Sequence, residues 1–401
     1  MQYQSTRAGL IKPSPSMAIS IEARRMTAAG VPVVDLSLGE PDFATPPHVL
    51  AAAAAAMRRG ETRYTAADGT PELKDAIVLK FGRENGLSFQ RGEVTAANGA
   101  KQIIFNALMA TLEPGDEVLV PAPYWVSYTD MVLLLGGEPK VLPCPVEDDF
   151  KLTPEALDRA LTKKTRWVMF NAPNNPCGAA YSREELAALG AVLARHPQVL
   201  VMSDEIYEHI NYTQTPFCSF LTACPALRER LLIVNGVSKT YAMTGWRIGY
   251  AAGPAPLIAT MAKIQSQSTS NPCSIAQAAA VAALTGPQDF VAQAVEEYRA
   301  RKDLVTEGLN AIAGLKTRSP EGAFYAYPEC SALLGRRTPA GKVIADDTDL
   351  VSYLLSEGHV AAVQGSAYGL EPYFRVSFAT SREQLTTAIE RIGDAVKRLE
   401  P

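Results

Sequence analysis

Residues 235–253 read NGVSKTYAMTGWRIGYAAG, and the rest of the chain is best read outward from them. An apolar run, RLLIVNG (230–236), leads in, and a second, WRIGYAAG (246–253), leads out. Both have the length and composition of buried strands. Between them Lys239 stands among small and hydroxyl residues, and the next charge is Arg247. A surface lysine usually shares a helix with other charges. A lysine in uncharged surroundings is suited to chemistry of its amine, because desolvation favours the neutral, nucleophilic form.

Upstream, short apolar runs alternate with helical patterns. EVTAANGA (93–100), DEVLVPA (116–122), RWVMFNAP (166–173) and QVLVMSDE (198–205) read as strands. KQIIFNALMATL (101–112) reads as a helix, and SREELAALGAVLARH (182–196) as a helix opened by a capping box, Ser182 with Glu185. This alternation predicts an α/β fold with a largely parallel, buried sheet. Downstream, Phe290, Val291, Ala294, Val295 and Tyr298 recur at helical spacing within residues 290–312. Shorter elements follow, GAFYAYP (322–328), a charged loop at 335–347 and YFRVSFA (373–379), and they suit a smaller C-terminal domain. The expected division is an N-terminal segment, 1–45, wrapping onto the small domain, a large domain, 46–288, and a small domain, 289–401.

The 401 residues fit two domains, and 47% hydrophobic with 20% charged residues is ordinary for a soluble protein. A net charge of −4 offers no basic stripe for nucleic acid. No apolar run reaches 18 residues; VLAAAAAAM (49–57) is a packed helix rather than a membrane span. The N-terminus has no apolar signal region, and the six cysteines form no CxxC pair, so a reducing cytoplasm is the expected compartment. The four histidines lie far apart, so no metal site is read. NYT at Asn211 is a chance match to a glycosylation pattern. GRRTPAGKV (335–343) has one residue too many between its glycines, and a valine where a phosphate loop needs Ser or Thr.

In parallel α/β sheets, ligands bind beyond the carboxyl ends of the strands. Gly99, Ala100 and Lys101 follow the first strand and open a helix, where free backbone N–H groups cradle phosphate. Taken alone, this is a weak signal, and a tight turn explains the residues better. Trp125 follows the next strand and the NAPNNPCG loop (171–178) the third. Asp204 ends the fourth, with Tyr207 three positions on. A carboxylate at a buried strand end is costly unless something cationic meets it. One cofactor asks for a lysine amine, a carboxylate, a phosphate cradle and a flat aromatic partner together: pyridoxal phosphate.

The chain resembles the fold type I, class I aminotransferases, in the bacterial aspartate aminotransferase group. The resemblance spans essentially the whole length through nine ordered stretches: SLGEPDFATP, TRYTAADGTPELKDAI, GAKQIIFNAL, PYWVSY, NAPNNPCGAAYS, SDEIYEHINY, GVSKTYAMTGWRIGY, EGAFYAYP and YFRVSFATS. It implies a mostly parallel seven-stranded sheet flanked by helices, with a smaller α/β domain. It also implies a homodimer with shared sites, pyridoxal 5′-phosphate as cofactor, and amino-acid and 2-oxo-acid substrates. By resemblance Lys239 is the Schiff-base lysine and proton shuttle, and Asp204 pairs with the pyridine nitrogen. Asn175 and Tyr207 bond the phenolic oxygen, and Trp125 stacks on the ring. Gly99, Ala100, Lys101, Ser238 and Arg247 serve the phosphate, together with Tyr64 of the neighbouring subunit. Arg375 clamps the substrate α-carboxylate with help from Gly39 and Asn175, and Asn271 lies nearby.

Three departures from the family pattern stand out. Cys177 replaces a common threonine, Gly236 a phosphate-binding serine, and Ser266 an arginine that holds acidic side chains in the enteric and animal enzymes. Lys101, and Lys12 for longer acids, are the expected substitutes for that arginine. The leading reading is aspartate:2-oxoglutarate amino transfer, with aromatic amino acids or prephenate as the alternative substrates. A β-lyase on the same scaffold ranks lower, and a non-catalytic cofactor-binding sensor lower still, since no basic DNA-binding face is present.

Overall fold

The structure is a computed structural model describing residues 3–11, 13 and 15–401, apart from the side chain of Ser16. Its strands, in chain order, begin with β1 (Val34–Asp35), β2 (Val94–Ala97), β3 (Glu117–Ala122) and β4 (Glu138–Pro143). β5 (Thr165–Asn171), β6 (Leu200–Asp204), β7 (Leu231–Gly236) and β8 (Gly249–Ala252) follow. The last are β9 (Tyr325–Ala326), β10 (Val360–Ala361), β11 (Val363–Gln364) and β12 (Phe374–Ser377).

Seven of these form one sheet in the order β2-β8-β7-β6-β5-β3-β4. The neighbours from β7 through β4 pair parallel, whereas β8 runs antiparallel to both β2 and β7. The one antiparallel strand is thus the run WRIGYAAG, which returns directly from the Lys239 loop with no crossover helix. Every residue of β7 is buried, as a strand covered on both faces requires. Along β5 the side chains alternate between two cores: Trp167 and Met169 enter one, Val168 and Phe170 the other. β4 is the exposed edge, blunted by Pro139, Lys140 and Pro143.

Helix Arg183–Ala194 carries the predicted capping box, with Ser182 Oγ accepting from Glu185 N at 3.1 Å and Glu185 Oε2 accepting from Ser182 N at 2.7 Å. The alanine-rich segment is helix Pro47–Arg58, which buries Val49, Ala53 and Ala56 and packs on helix Ser274–Thr285. The long helix spans Asp289–Asn310. Ala294, Tyr298, Arg301, Val305 and Leu309 form its buried stripe. Phe290 and Val295 are only partly buried against the core, and Val291 packs toward the other one. Arg301 tolerates burial because Asp42, at 2.7 Å, and Glu297, at 2.9 Å, neutralise it.

Beyond this helix, β11, β12 and β9 form an antiparallel sheet, and β1 pairs parallel with β10. Leu36 N donates to Ala361 O and Ser377 N to Leu36 O, both at 2.9 Å, so residues 34–37 are stitched to the C-terminal third. Helix Pro15–Ala28 rests on β10 and β11, but the turn Ala8–Leu10 leans on helix Ser127–Leu134 beside the large sheet. The N-terminal segment therefore touches both parts rather than only the C-terminal one. Among the described residues no helix is long and apolar enough to cross a membrane.

Candidate active site

A cavity of about 370 Å³ opens at the carboxyl ends of the large sheet's strands, between that sheet and β12. Among the described residues, four cationic side chains line it, Lys101, Lys239, Arg247 and Arg375, against two acids, Glu40 and Asp204. The surplus of positive charge suits a ligand carrying several negative charges.

Lys239 lies in the loop after β7, where the chain leaves the sheet before returning as β8. Its Nζ donates to Gly39 O at 2.5 Å and sits about 6 Å from the Tyr207 and Phe324 ring centres. No carboxylate pairs with it among the described residues. Burial, and then the nearby charge of Arg375, pull its pKa down to about 8.

Asp204 ends β6 and is 5% exposed. Its Oδ2 accepts from Tyr128 Oη at 2.7 Å and its Oδ1 from Ile206 N at 3.3 Å. Burial pushes its pKa up to about 6, while these hydrogen bonds and then Lys239 pull it down. Tyr207 is buried with its hydroxyl 2.8 Å from that of Tyr325. Asn175 is held by Asn171, whose Oδ1 accepts from Asn175 N at 2.8 Å.

Arg375, on β12, is 3% exposed. Its Nη1 donates to Asn175 Oδ1 at 3.0 Å, its Nη2 donates to Ser37 O, and its Nε has no partner among the described residues. The guanidinium lies over the Tyr325 ring at 4.6 Å and the Tyr368 ring at 5.2 Å. No carboxylate among the described residues pairs with it. A buried cation with an open donor and no acid is a site prepared for an anion.

Around Gly99 the backbone approaches too closely for a side chain. Gly99 has φ +86°, and a Cβ there would meet Arg247 Nη2 at 2.3 Å; one on Gly249 would meet Ala100 N at 2.1 Å. Ala100 and Lys101 then begin helix Ala100–Thr111, whose first-turn N–H groups and dipole favour an anion. Arg247 donates to Thr244 O at 2.8 Å and Asn98 O at 3.3 Å, and Ser238 is buried at the cavity wall. Lys101 Nζ stands 4.8 Å from the Trp125 ring centre, and burial, then Arg247, lower its pKa. Gly39 presses on Tyr325, whose hydroxyl a Cβ would meet at 2.4 Å.

The fold thus brings Gly39, Ala100, Lys101, Trp125, Asn175, Asp204, Tyr207, Ser238, Lys239, Arg247 and Arg375 to one cavity, with Gly99 directly behind it. Tyr64 is not brought in; it stands 90% exposed on the surface of the single chain. Asn271 turns its side chain to Pro272 O, away from the cavity lining. Lys12 lies outside the described residues. Sequence reasoning missed Tyr128 and Tyr325, which touch Asp204 and Arg375. Both sit inside quoted stretches, Tyr128 one helical turn beyond Trp125, but an aromatic at that spacing reads first as core. A second cluster, Glu84, Glu208 and His209, has ligand atoms close enough for a metal, yet Lys80 Nζ already contacts Glu208 and lies 3.6 Å from Glu84. The cluster carries its own cation.

The family model for aminotransferase class I and II matches residues 31–392. A Rhizobium meliloti (strain 1021) protein named aspartate aminotransferase is 54% identical over 395 residues, 98% of this chain and 96% of that one. A Cereibacter sphaeroides protein named aspartate/prephenate aminotransferase is 54% identical over 392 residues, 98% of each chain. Among solved structures, the aspartate aminotransferase of Rhizobium meliloti superposes with a TM-score of 0.97 at 53% identity over 100% of both chains. That of Thermus thermophilus with maleate superposes with a TM-score of 0.92 at 42% identity, over 98% of this chain and 100% of that one.

Proposed function

The chain belongs to the class I and II aminotransferases, and from that premise we propose that it moves the amino group of aspartate to 2-oxoglutarate with pyridoxal 5′-phosphate as cofactor. The observation that carries this reading is that Lys239 and Arg375, neither paired with an acid among the described residues, line one cavity together with the buried Asp204.

The residues present fit the cofactor. Glycine at 99 and 249 lets the Arg247 guanidinium and the Ala100 amide pack together at the strand ends, where a Cβ would collide with them. Ala100 and Lys101 offer amides and Arg247 and Ser238 further donors, while Trp125 offers a flat face. When bound, the cofactor supplies an aldehyde for amine exchange and a protonated ring that accepts electrons from the substrate α-carbon. Asp204 would hold the proton on the ring nitrogen, which a neutral amide would not do. Tyr207 and Asn175 would serve the phenolic oxygen. Lys239, neutral in a useful fraction near its pKa of about 8, would anchor the cofactor through its amine and move the proton at the substrate α-carbon. Arg375 takes the α-carboxylate by two parallel hydrogen bonds, with the Gly39 amide and Asn175 beside it. Lys101 takes the distal carboxylate, and Lys12 a longer acid. The reaction returns the site to its starting state only after a second substrate, which makes the kinetics ping-pong.

We assign residues 46–288 to cofactor binding and 289–401 to the small domain carrying Arg375, and we take the active form as a homodimer in which Tyr64 reaches the neighbouring site. The aspartate reading is supported by the names of the relatives and by maleate, a dicarboxylate, in the Thermus thermophilus structure. Prephenate is the second reading, favoured by the name of the Cereibacter sphaeroides relative. The test is spectroscopic. Aspartate alone should convert the cofactor absorbance to that of the amine form, and 2-oxoglutarate or prephenate should restore it. Release of ammonia and pyruvate from an amino acid with a thiolate leaving group on its β-carbon, with no restoration by any 2-oxo acid, would mean a lyase.

A further inference from the structure

We propose that Tyr128 is a positioning residue that fixes both the orientation and the charge of the Asp204 carboxylate; the proposal rests on the assignment of Asp204 to the cofactor's ring nitrogen. Tyr128 is 2% exposed on helix Ser127–Leu134, and its hydroxyl donates to Asp204 Oδ2 at 2.7 Å. The direction of that bond is forced. An ionised carboxylate only accepts, and burial beside Asp204 holds the phenol well above its ordinary pKa, so it keeps its proton.

Few other groups can do the same work. Asp204 is faced by the Ile206 amide at 3.3 Å and Tyr207 from the following loop, and by Lys239 from the loop after β7. The Asn171 side chain bonds the Asp204 carbonyl rather than its carboxylate. The Tyr207 hydroxyl lies 2.8 Å from that of Tyr325 rather than on the carboxylate. Lys239 favours the anion only while it is an ammonium, and once the amine is engaged with a cofactor that help ends. Of the two hydrogen bonds that described groups of the protein itself then give the carboxylate, Tyr128 supplies the shorter. Its ring also meets Trp125 edge to face, 5.4 Å between centres and 86° between planes. One side chain therefore seats both the expected partner of the ring nitrogen and the expected stacking face.

Tyr128→Phe removes one oxygen and keeps the ring. Titrating cofactor-free protein with pyridoxal phosphate, followed by quenching of tryptophan fluorescence, should show binding weakened about tenfold or more at neutral pH, the range of a lost hydrogen bond to a charged group. The pH below which binding fails should move up by about one unit. kcat should fall with little change in KM for aspartate, because Arg375 is untouched. In an Asp204→Asn background the same substitution should add less than twofold. Melting of the cofactor-free variant within a few degrees of wild type would exclude a packing defect as the cause. Binding within twofold of wild type with an unmoved acid limb would overturn the proposal, as would full additivity with Asp204→Asn. Wild-type protein that binds no pyridoxal phosphate would overturn the functional reading itself, and this proposal with it.

Discussion

Arg375→Lys separates a substrate clamp from a structural cation. In the wild type, Nη1 and Nη2 are anchored to Asn175 Oδ1 and Ser37 O, and Nε is left open. The guanidinium lies within 4.6 Å of the Tyr325 ring centre and 5.2 Å of that of Tyr368. This leaves a fixed fork able to give a carboxylate two parallel bonds, where an ammonium would give one. A hydrogen bond to a charged group is worth about 1.5–3 kcal/mol, so losing one should lower kcat/KM about 10- to 150-fold. The loss should appear mainly as a raised KM. It should be nearly equal for aspartate, glutamate and an aromatic amino acid, since every one of them carries the α-carboxylate. The assay is steady-state kinetics over such a panel with one fixed 2-oxo acid. A loss confined to one substrate, or an unchanged KM throughout, would refute the reasoning.

Borohydride reduction of the holoenzyme followed by peptide mapping should place the label on Lys239; a label on any other lysine sinks that assignment. In cofactor-free protein the rate of attachment should climb about tenfold per pH unit below pH 8 and flatten above it, because burial lowers the pKa of Lys239 to about 8 and only the neutral amine reacts. A rise that continues to pH 10 would show an ordinary lysine. Lys101→Ser should reduce kcat/KM with aspartate about 10- to 150-fold and with a neutral amino acid much less; equal losses would leave Lys101 as support for the cofactor. Mixing Tyr64→Phe with Lys239→Ala chains should restore activity above either parent, since hybrid dimers carry one intact site, and no gain would show that the two residues serve the same chain's site.

The α/β architecture was legible because strands buried on both faces must be continuous apolar runs, and β5, β6 and β7 are. Lys239 stood out through the absence of charge around it, a property of consecutive residues. Arg375 had no such local signal. Its isolation from acids is a tertiary fact, made by Ser37 and Asn175, which lie 338 and 200 positions away in sequence. Only the resemblance pointed to it. Tyr128 and Tyr325 were missed for a related reason: a buried tyrosine and a core tyrosine look alike until the partner of the hydroxyl is known. The N-terminal segment was placed on one part of the molecule, whereas its first described turn meets the other. A proline-rich stretch without periodicity carries no information on which surface it meets.

The pairing of β1 with β10 has a consequence for how the chain is made. Val34 meets Val360, 326 residues later. At a synthesis rate of about 5–20 residues per second, roughly 16–65 s pass before the second strand exists. The large sheet, closed between residues 94 and 252, can assemble on the ribosome in that interval. Residues 34–37 cannot dock, because their backbone partners His359, Ala361 and Ser377 are still to come. The same late arrival brings Arg375, so the final docking of the N-terminal segment and the completion of the anion site are one event. A nascent chain stalled before residue 360 would present the large sheet's side of the cavity without Arg375 and an unpaired strap at 34–37 open to proteases.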